Sequence, residues 1–334
     1  GIGDQEERDV VEPEEAELPR RERVRRPLRR CLDRHVDSVT GTRPPRSSRT
    51  GMPERVRVRW ATMGRRIADR YVVSDGERMA FERDGYVHLP AVLTADEVDS
   101  IELVYDRFMR GEIDVPGRDL NDMVTGEYGT DPGDYTIFNV MLPRRYHPAW
   151  QENIFERVGL DIAEQLCGEG MVLDFDQLLA KHPDRDDAVF AWHQDQAYWI
   201  NTDDRRTATC WLAVDDSTIE NGCMQFLPGS HREAVRPHRP ISGSREDQHT
   251  LVTDLRPDDV LVPVEIRRGD ITVHNEGVLH GSGGNTSTVS RRRAYITAFR
   301  SIETVRQERA LGFTHSHNDA PDVLAKVDGL LATD

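Results

Sequence analysis

The residues with the clearest chemistry lie in Trp192-His193-Gln194-Asp195-Gln196-Ala197-Tyr198-Trp199. An imidazole and a carboxylate stand two residues apart. In an extended strand, residues i and i+2 point to the same side, so His193 and Asp195 can reach one metal ion together. A third ligand has to come from elsewhere. His280, in His280-Gly281-Ser282-Gly283-Gly284-Asn285, is well placed, and His274 lies six residues before it. Two imidazoles and one carboxylate make the facial triad of non-haem Fe(II) sites, which leaves positions open for a co-substrate and O2. The chain holds 12 His and 60 acidic residues, so a chance pair of this kind is common and its surroundings must decide.

Short strands are available to position these groups. Met171 to Lys181 is apolar and partly alternating, with Leu173, Phe175 and Gln177 in step. Phe190 to Trp192 leads into the His/Asp pair. Thr207 to Val214 places Thr209, Trp211 and Ala213 on one face and Cys210, Leu212 and Val214 on the other. Asn221-Gly222 is a turn signal, followed by a strand from Cys223 to Leu227. Further strands are predicted over Val260–Ile266, Ile271–His274 and Arg293–Arg300.

Helices precede them. Thr94 and Glu97 form a capping box ahead of the apolar stripe Val98, Ile101, Val104, Tyr105 and Phe108. Pro148 to Gly168 reads as a second helix. Gly111–Tyr135 and Arg232–Asp259 read as long loops, a length that usually marks a lid or an insertion. Many short strands after initial helices predict a mainly β chain with flanking helices (α+β), its two sheets packed as a jelly roll.

Composition narrows the function. A net charge of −16 argues against nucleic acid and against anionic membrane surfaces, because both need a basic face. No run approaches the roughly 20 apolar residues of a membrane span. The four cysteines, Cys31, Cys167, Cys210 and Cys223, include no CxxC, which suits free thiols in a reducing, cytoplasmic setting. Residues 1–70 combine an acidic run, an Arg-rich stretch and a Pro/Ser linker with no apolar period. They read as a disordered tail, as sequence upstream of a start at Met52, Met63 or Met79, or as a basic arm. The globular domain is predicted over residues 71–325.

Several segments, in order, resemble the phytanoyl-CoA dioxygenase family of Fe(II)- and 2-oxoglutarate-dependent oxygenases. They are Phe81-Glu82-Arg83-Asp84-Gly85-Tyr86-Val87, the His193/Asp195 pair, Trp211 through Cys223 running into Leu227-Pro228-Gly229-Ser230-His231, Gly269-Asp270, and His280 through Asn285, Ser287 and Arg291. The resemblance spans roughly Phe81 to Arg300. It implies a double-stranded β-helix core, with His193, Asp195 and His280 as iron ligands. It chooses His280 over His274 because His280 stands the family's distance from Arg291 and is followed by small residues that leave room for a co-substrate. By the same likeness Arg291 would pair with the far carboxylate of 2-oxoglutarate, Ser282 would help hold it, and Trp211 would line its pocket. Gln177 and Asn139 fall near co-substrate positions. Strand alternation puts Arg291 and Arg293 on one side and Arg292 on the other, and the family's spacing selects Arg291.

The implied reaction is hydroxylation of a small molecule with release of succinate and CO2; desaturation or cyclisation would use the same site. Asp195 argues against halogenation, because the family's halogenating relatives carry a small residue there. Tyr198 and Trp199 would line the substrate side or pack in the core, and Arg236, His238 and Arg239 would be available to an anionic substrate. Three rival readings remain: a cupin-like metal enzyme that does not use 2-oxoglutarate, a non-catalytic small-molecule binding protein, and a zinc hydrolase. The last lacks a helical HExxH.

Overall fold

The computed structural model describes residues 64–241, 243 and 250–331 of the 334-residue chain. Residues 1–63, His249 and Cys31 lie outside that range. The elements run from Arg65 to Leu331, wider at both ends than 71–325. A hairpin, β1 (Arg65–Ile67) and β2 (Arg70–Val72), comes first. Helices α1 (Asp75–Asp84) and α2 (Ala95–Met109) each begin with a complete capping box, Ser74 with Glu77 and Thr94 with Glu97. Such caps contribute about 1 kcal/mol each. Helix α4 (Ile154–Cys167) starts later than Pro148, because Asn153 accepts from the amides of Phe155 and Glu156 and so caps it there. The short α3 (Pro143–Tyr146) precedes it.

Two antiparallel sheets face each other. The larger has seven strands in the order β3 (Tyr86–Leu89), β13 (Ile271–His274), β8 (Thr207–Ala213), β15 (Arg292–Ser301), β6 (Met171–Lys181), β5 (Ile137–Met141) and β4 (Leu120–Asp122). The smaller runs β12 (Val262–Pro263), β9 (Met224–Phe226), β14 (His280–Ser282) and β7 (Phe190–His193). A separate hairpin joins β10 (Arg239–Pro240) to β11 (Leu251–Val252). This is the expected jelly-roll core with flanking helices.

Strand alternation sorts the side chains. On the outer face of the larger sheet, Cys210, Leu212, Leu178, Tyr295 and Phe299 pack with Tyr105 of α2 and Ile162 of α4 into the main core. On the inner face, Trp211, Ala213, Leu179, Ala294 and Ile296 meet Met224 and Phe226 of the smaller sheet. Burying side chains of this size stabilises by roughly 1.5–3 kcal/mol each.

Three expectations differ from the structure. The supposed loop Gly111–Tyr135 contains β4, which pairs with β5 through Asn121 and Asn139; β4 is too short and polar to show a period. The strand expected over Val260–Ile266 is only Val262–Pro263, since Pro263 lacks the N–H needed to extend the ladder. Beyond β15 the chain forms α5 (Ile302–Ala310) and α6 (Pro321–Leu331), which sequence reading had left unassigned. No helix among the described residues is long and apolar enough to cross a membrane. Cys167, Cys210 and Cys223 are free.

Candidate metal centre and co-substrate cavity

His280 of β14 pairs directly with His193 of β7 across the smaller sheet, and their ring centroids lie 4.2 Å apart. His193 is the last residue of its strand. Gln194 is still extended, and Asp195 then opens a single helical turn, Asp195–Tyr198. The pair therefore converges at a strand end rather than within a strand. Asp195 Oδ1 sits 3.4 Å from His193 Nε2 and 3.6 Å from His280 Nε2. One donor atom from each of the three residues falls within 4.8 Å of the others.

The imidazoles are locked in the orientation a metal requires. Each Nδ1 faces the carbonyl of the residue two before it: Ala191 at 2.8 Å for His193 and Val278 at 3.0 Å for His280. That hydrogen bond places the proton on Nδ1 and leaves Nε2 as the free donor atom. Burial, reinforced by His193, pulls His280 well below the ordinary imidazole range, so it is neutral. Burial opposes the charge on Asp195, but His280, His193 and His274 outweigh it and hold the carboxyl well below the usual range. Two imidazoles and one carboxylate, nearly closed to water, suit ferrous iron.

His274 occupies another place. From β13 in the larger sheet its Nε2 lies 3.2 Å from Asp195 Oδ2, and Thr209 Oγ1 donates to the same oxygen at 3.3 Å. The two sheets thus divide Asp195, with Oδ1 toward the histidine pair and Oδ2 toward His274 and Thr209.

A cleft with about 1100 Å³ of open space, mouth included, runs from this centre in two directions. At one end lie Trp211, Ser282 and Arg292. Arg292, not Arg291, enters the cavity. Even-numbered residues of β15 (Arg292, Ala294, Ile296) face inward, and Arg293 faces Asp215, Asp106 and Glu102 outside. Arg291 shares the outer side, 43% exposed and 4.0 Å from both Glu102 and Asp106. The spacing rule selected Arg291, but strand parity places its neighbour inside.

Arg292 is fully buried, stacks over Trp211 at 5.1 Å and donates to the Gly222 carbonyl at 3.1 Å. Burial pulls its guanidinium down to about 10, so it stays cationic at neutral pH. Opposite it on β6 is Lys181, which sequence reading passed over. Its ammonium donates to Ser282 Oγ at 2.7 Å and to the Gly283 carbonyl at 2.5 Å. Its position in the alternation of β6, in step with Gln177 and Leu179, was the available signal.

The other expected contacts divide. Gln177 lines the cavity, but Asn139 sits behind it, accepting from Gln177 Nε2 at 2.7 Å. Tyr198 and Trp199 both line the cavity. The Tyr198 hydroxyl accepts from the Leu251 amide at 2.7 Å. Gly281 and Gly284 do not make room for a co-substrate. A Cβ at Gly281 would meet the Trp192 ring at 2.9 Å, and one at Gly284 would meet the Asp186 carbonyl at 2.0 Å. Both glycines allow close chain packing.

The basic residues of the 232–259 connection are engaged elsewhere. Arg236 is bound through both nitrogens by Asp259, and Arg239 by Asp254. Burial lowers His238 to about 4, and its Nε2 accepts from the Gln194 amide. A second close group, Asp174, Glu308 and His315, has carboxylates already neutralised by Arg300 and Arg309, which suits an ion-pair cluster rather than a metal.

Comparison with known proteins agrees with this geometry. The model of the phytanoyl-CoA dioxygenase (PhyH) family matches residues 81–294. A probable alpha-ketoglutarate-dependent hypophosphite dioxygenase of Stutzerimonas stutzeri is 29% identical over 62% of this chain and 72% of its own length. A 2-aminoethylphosphonate dioxygenase from an uncultured bacterium is 25% identical over 76% of this chain and 91% of its own. Among solved structures, EvdO2 of Micromonospora carbonacea var. aurantiaca complexed with 2-oxoglutarate is 28% identical, with a TM-score of 0.55 over 69% of this chain and 91% of that one. The chain belongs to the phytanoyl-CoA dioxygenase family and is an Fe(II)- and 2-oxoglutarate-dependent dioxygenase.

Proposed function

We propose that this cavity hydroxylates an unactivated C–H bond of a small molecule, with His193, Asp195 and His280 holding the iron and Arg292, Ser282 and Trp211 holding 2-oxoglutarate. The observation that carries the reading is the pairing of two features in one cleft. Three buried donor atoms converge at its centre, and a buried guanidinium with no described carboxylate in ion-pair range waits at one end.

Ferrous iron bound with 2-oxoglutarate and O2 supplies oxidative decarboxylation to succinate and CO2, coupled to oxygen insertion into a C–H bond. The protein's part is positioning and shielding. The backbone carbonyls of Ala191 and Val278 fix both imidazoles, while His274 and Thr209 hold the second oxygen of Asp195 and so aim the first. Arg292, braced by Trp211 and Gly222, offers a planar fork to a carboxylate, a geometry an ammonium cannot supply. Lys181 orients Ser282 beside it. Phe226 and Phe190, packed near His280 and His193, restrict water at the centre.

The free thiols and the acidic charge are in keeping with a cytoplasmic enzyme that engages neither nucleic acid nor membrane. A cupin-like enzyme independent of 2-oxoglutarate and a non-catalytic binder are not favoured. The test is anaerobic addition of Fe(II) and 2-oxoglutarate to the purified protein. A weak visible charge-transfer band that needs both components supports the reading; bound metal without that band overturns it.

A further inference from the structure

The two ends of the cleft differ in character. Phe313, His315 and Leu324, from α6 and the connection before it, line a C-terminal wall at the far end. Behind the co-substrate end sits a group that iron chemistry does not itself require, the amine of Lys181.

Lys181 is the last residue of β6 and is fully buried. Arg292 lies opposite it on β15, and Ile137 of β5 flanks its other side. Its Nζ donates to Ser282 Oγ at 2.7 Å and to the Gly283 carbonyl at 2.5 Å. The turn at Gly222 closes over both basic groups. Its carbonyl accepts from Arg292, and a Cβ there would lie 3.2 Å from Lys181 Nζ and 2.4 Å from the Gly283 carbonyl. Ser282 lines the cleft and Lys181 does not, so the lysine acts on the cleft through the serine.

The titratable groups around Nζ give it no anion. Arg292 is cationic. Burial pushes the Cys223 thiol up to about 11, so it stays protonated at neutral pH. His182, next in the chain, is held below its ordinary range by burial, Arg185 and Arg291, and is uncharged too. Burial and Arg292 therefore both disfavour the ammonium form of Lys181 in the protein alone. A carboxylate beside Arg292 reverses that balance, because a nearby opposite charge favours the protonated amine.

Protonation has a consequence for Ser282. An ammonium has three hydrogens and no lone pair, so Ser282 Oγ must accept from it and the hydroxyl proton must point elsewhere. A neutral amine has a lone pair and can take that proton. Protonating Lys181 thus releases the Ser282 hydroxyl from the amine to the cleft.

We propose that Lys181 is a positioning residue for the co-substrate. As the far carboxylate of 2-oxoglutarate docks on Arg292, Nζ takes one proton from solvent, and the ammonium so formed directs the Ser282 hydroxyl to that carboxylate. The proposal rests on the dioxygenase reading above and adds a proton to its binding step. Linkage fixes the sign: the complex holds the extra proton, so rising pH weakens co-substrate binding, by up to about tenfold per pH unit while Nζ titrates.

The test uses the full chain loaded anaerobically with Fe(II). Affinity for 2-oxoglutarate is read from the charge-transfer band between about pH 6 and 8.5, where both carboxylates of the co-substrate stay ionised. Proton uptake is read by titration calorimetry in two buffers of different ionisation enthalpy. Affinity should fall at least about tenfold across that range, with net proton uptake largest where the fall is steepest. Lys181→Met should weaken binding at the acidic end at least about fivefold and flatten the profile to within about twofold. Lys181→Arg, cationic throughout, should recover binding with a flat profile. A merely structural role would shift affinity equally at every pH. A flat profile or no net proton uptake in the natural chain, or the same slope and uptake in Lys181→Met, overturns the proposal. Calorimetry on the natural chain keeps that outcome within reach if a variant fails to fold. A band that never forms in the natural chain instead removes the dioxygenase reading beneath it.

Discussion

Arg292 and Lys181 stand opposite each other on the ladder between β15 and β6, two buried basic side chains with no described carboxylate within ion-pair distance of either. Burial and the nearby Arg292 hold the Lys181 ammonium well below its ordinary range. Proteins seldom bury a guanidinium beside a second basic group without an anion to meet it. The arrangement is intelligible as half of a site whose other half is the carboxylate of the co-substrate.

Arg292→Ala should therefore raise the 2-oxoglutarate concentration needed for the charge-transfer band by about 30-fold or more, the scale of losing one partner of a buried charge pair. Arg291→Ala should change it by less than about twofold, since an exposed pair contributes little. Equal effects of the two substitutions would show that strand parity does not decide which arginine acts.

Asp195 and His274 make a second pair of contrasting variants. Asp195→Ala should abolish iron-dependent turnover. His274→Ala should leave the three ligands in place but free the second oxygen of Asp195, weakening Fe(II) binding by about 10-fold, as loss of a group that orients a metal ligand does. Equilibrium dialysis against Fe(II) measures both. Unchanged affinity in His274→Ala would mean that Thr209 alone suffices.

The glycines after His280 separate packing from space. A Cβ at Gly284 would lie 2.0 Å from the Asp186 carbonyl, whereas at Gly283 nothing lies within 4 Å. Gly284→Ala should cost more than about 2 kcal/mol in a denaturant titration, and Gly283→Ala should be near neutral. A neutral Gly284→Ala would show that the 183–187 turn yields.

His315 ties stability to pH. Burial lowers its pKa, but Asp174 and Glu308 outweigh burial and raise it from 6.5 to about 9. A raised folded-state value means the stabilisation is fully present below pH 6.5 and is lost as pH climbs through 9, on the order of 3 kcal/mol. Melting temperature should fall across that window in the natural chain. His315→Gln should melt lower at pH 6.5 and vary less between pH 6.5 and 9. Parallel curves would sink the assignment.

Much of the architecture was legible because it rests on local rules. The Thr94/Glu97 capping box, the Met171–Lys181 strand and the opposed faces of Thr207–Ala213 follow from periods and hydrogen-bonding side chains that act over a few residues. The His193/Asp195 pair was legible for the same reason. His280 could be chosen over His274 only by likeness to a family, and geometry explains the distinction. His280 pairs across the smaller sheet with His193, while His274 reaches Asp195 from the larger one.

Other features had no local signature. Strand β4 is three residues long and becomes a strand only because β5 offers it a partner. Lys181 reads as an ordinary polar strand end until β15 brings Arg292 opposite it. The choice between Arg291 and Arg292 depends on where the strand enters the ladder, and a shift of one residue exchanges inside for outside. The C-terminal wall depends on Asp119 and Asp174 meeting residues 141 to 198 positions away. By itself the sequence determined the fold class, the residue types of the candidate metal centre and the strand that leads into His193, since periodicity and short spacings are written into neighbouring residues. Only the tertiary structure decided which arginine enters the cleft and which C-terminal residues line its far end, because those contacts join residues that neither spacing nor composition relates.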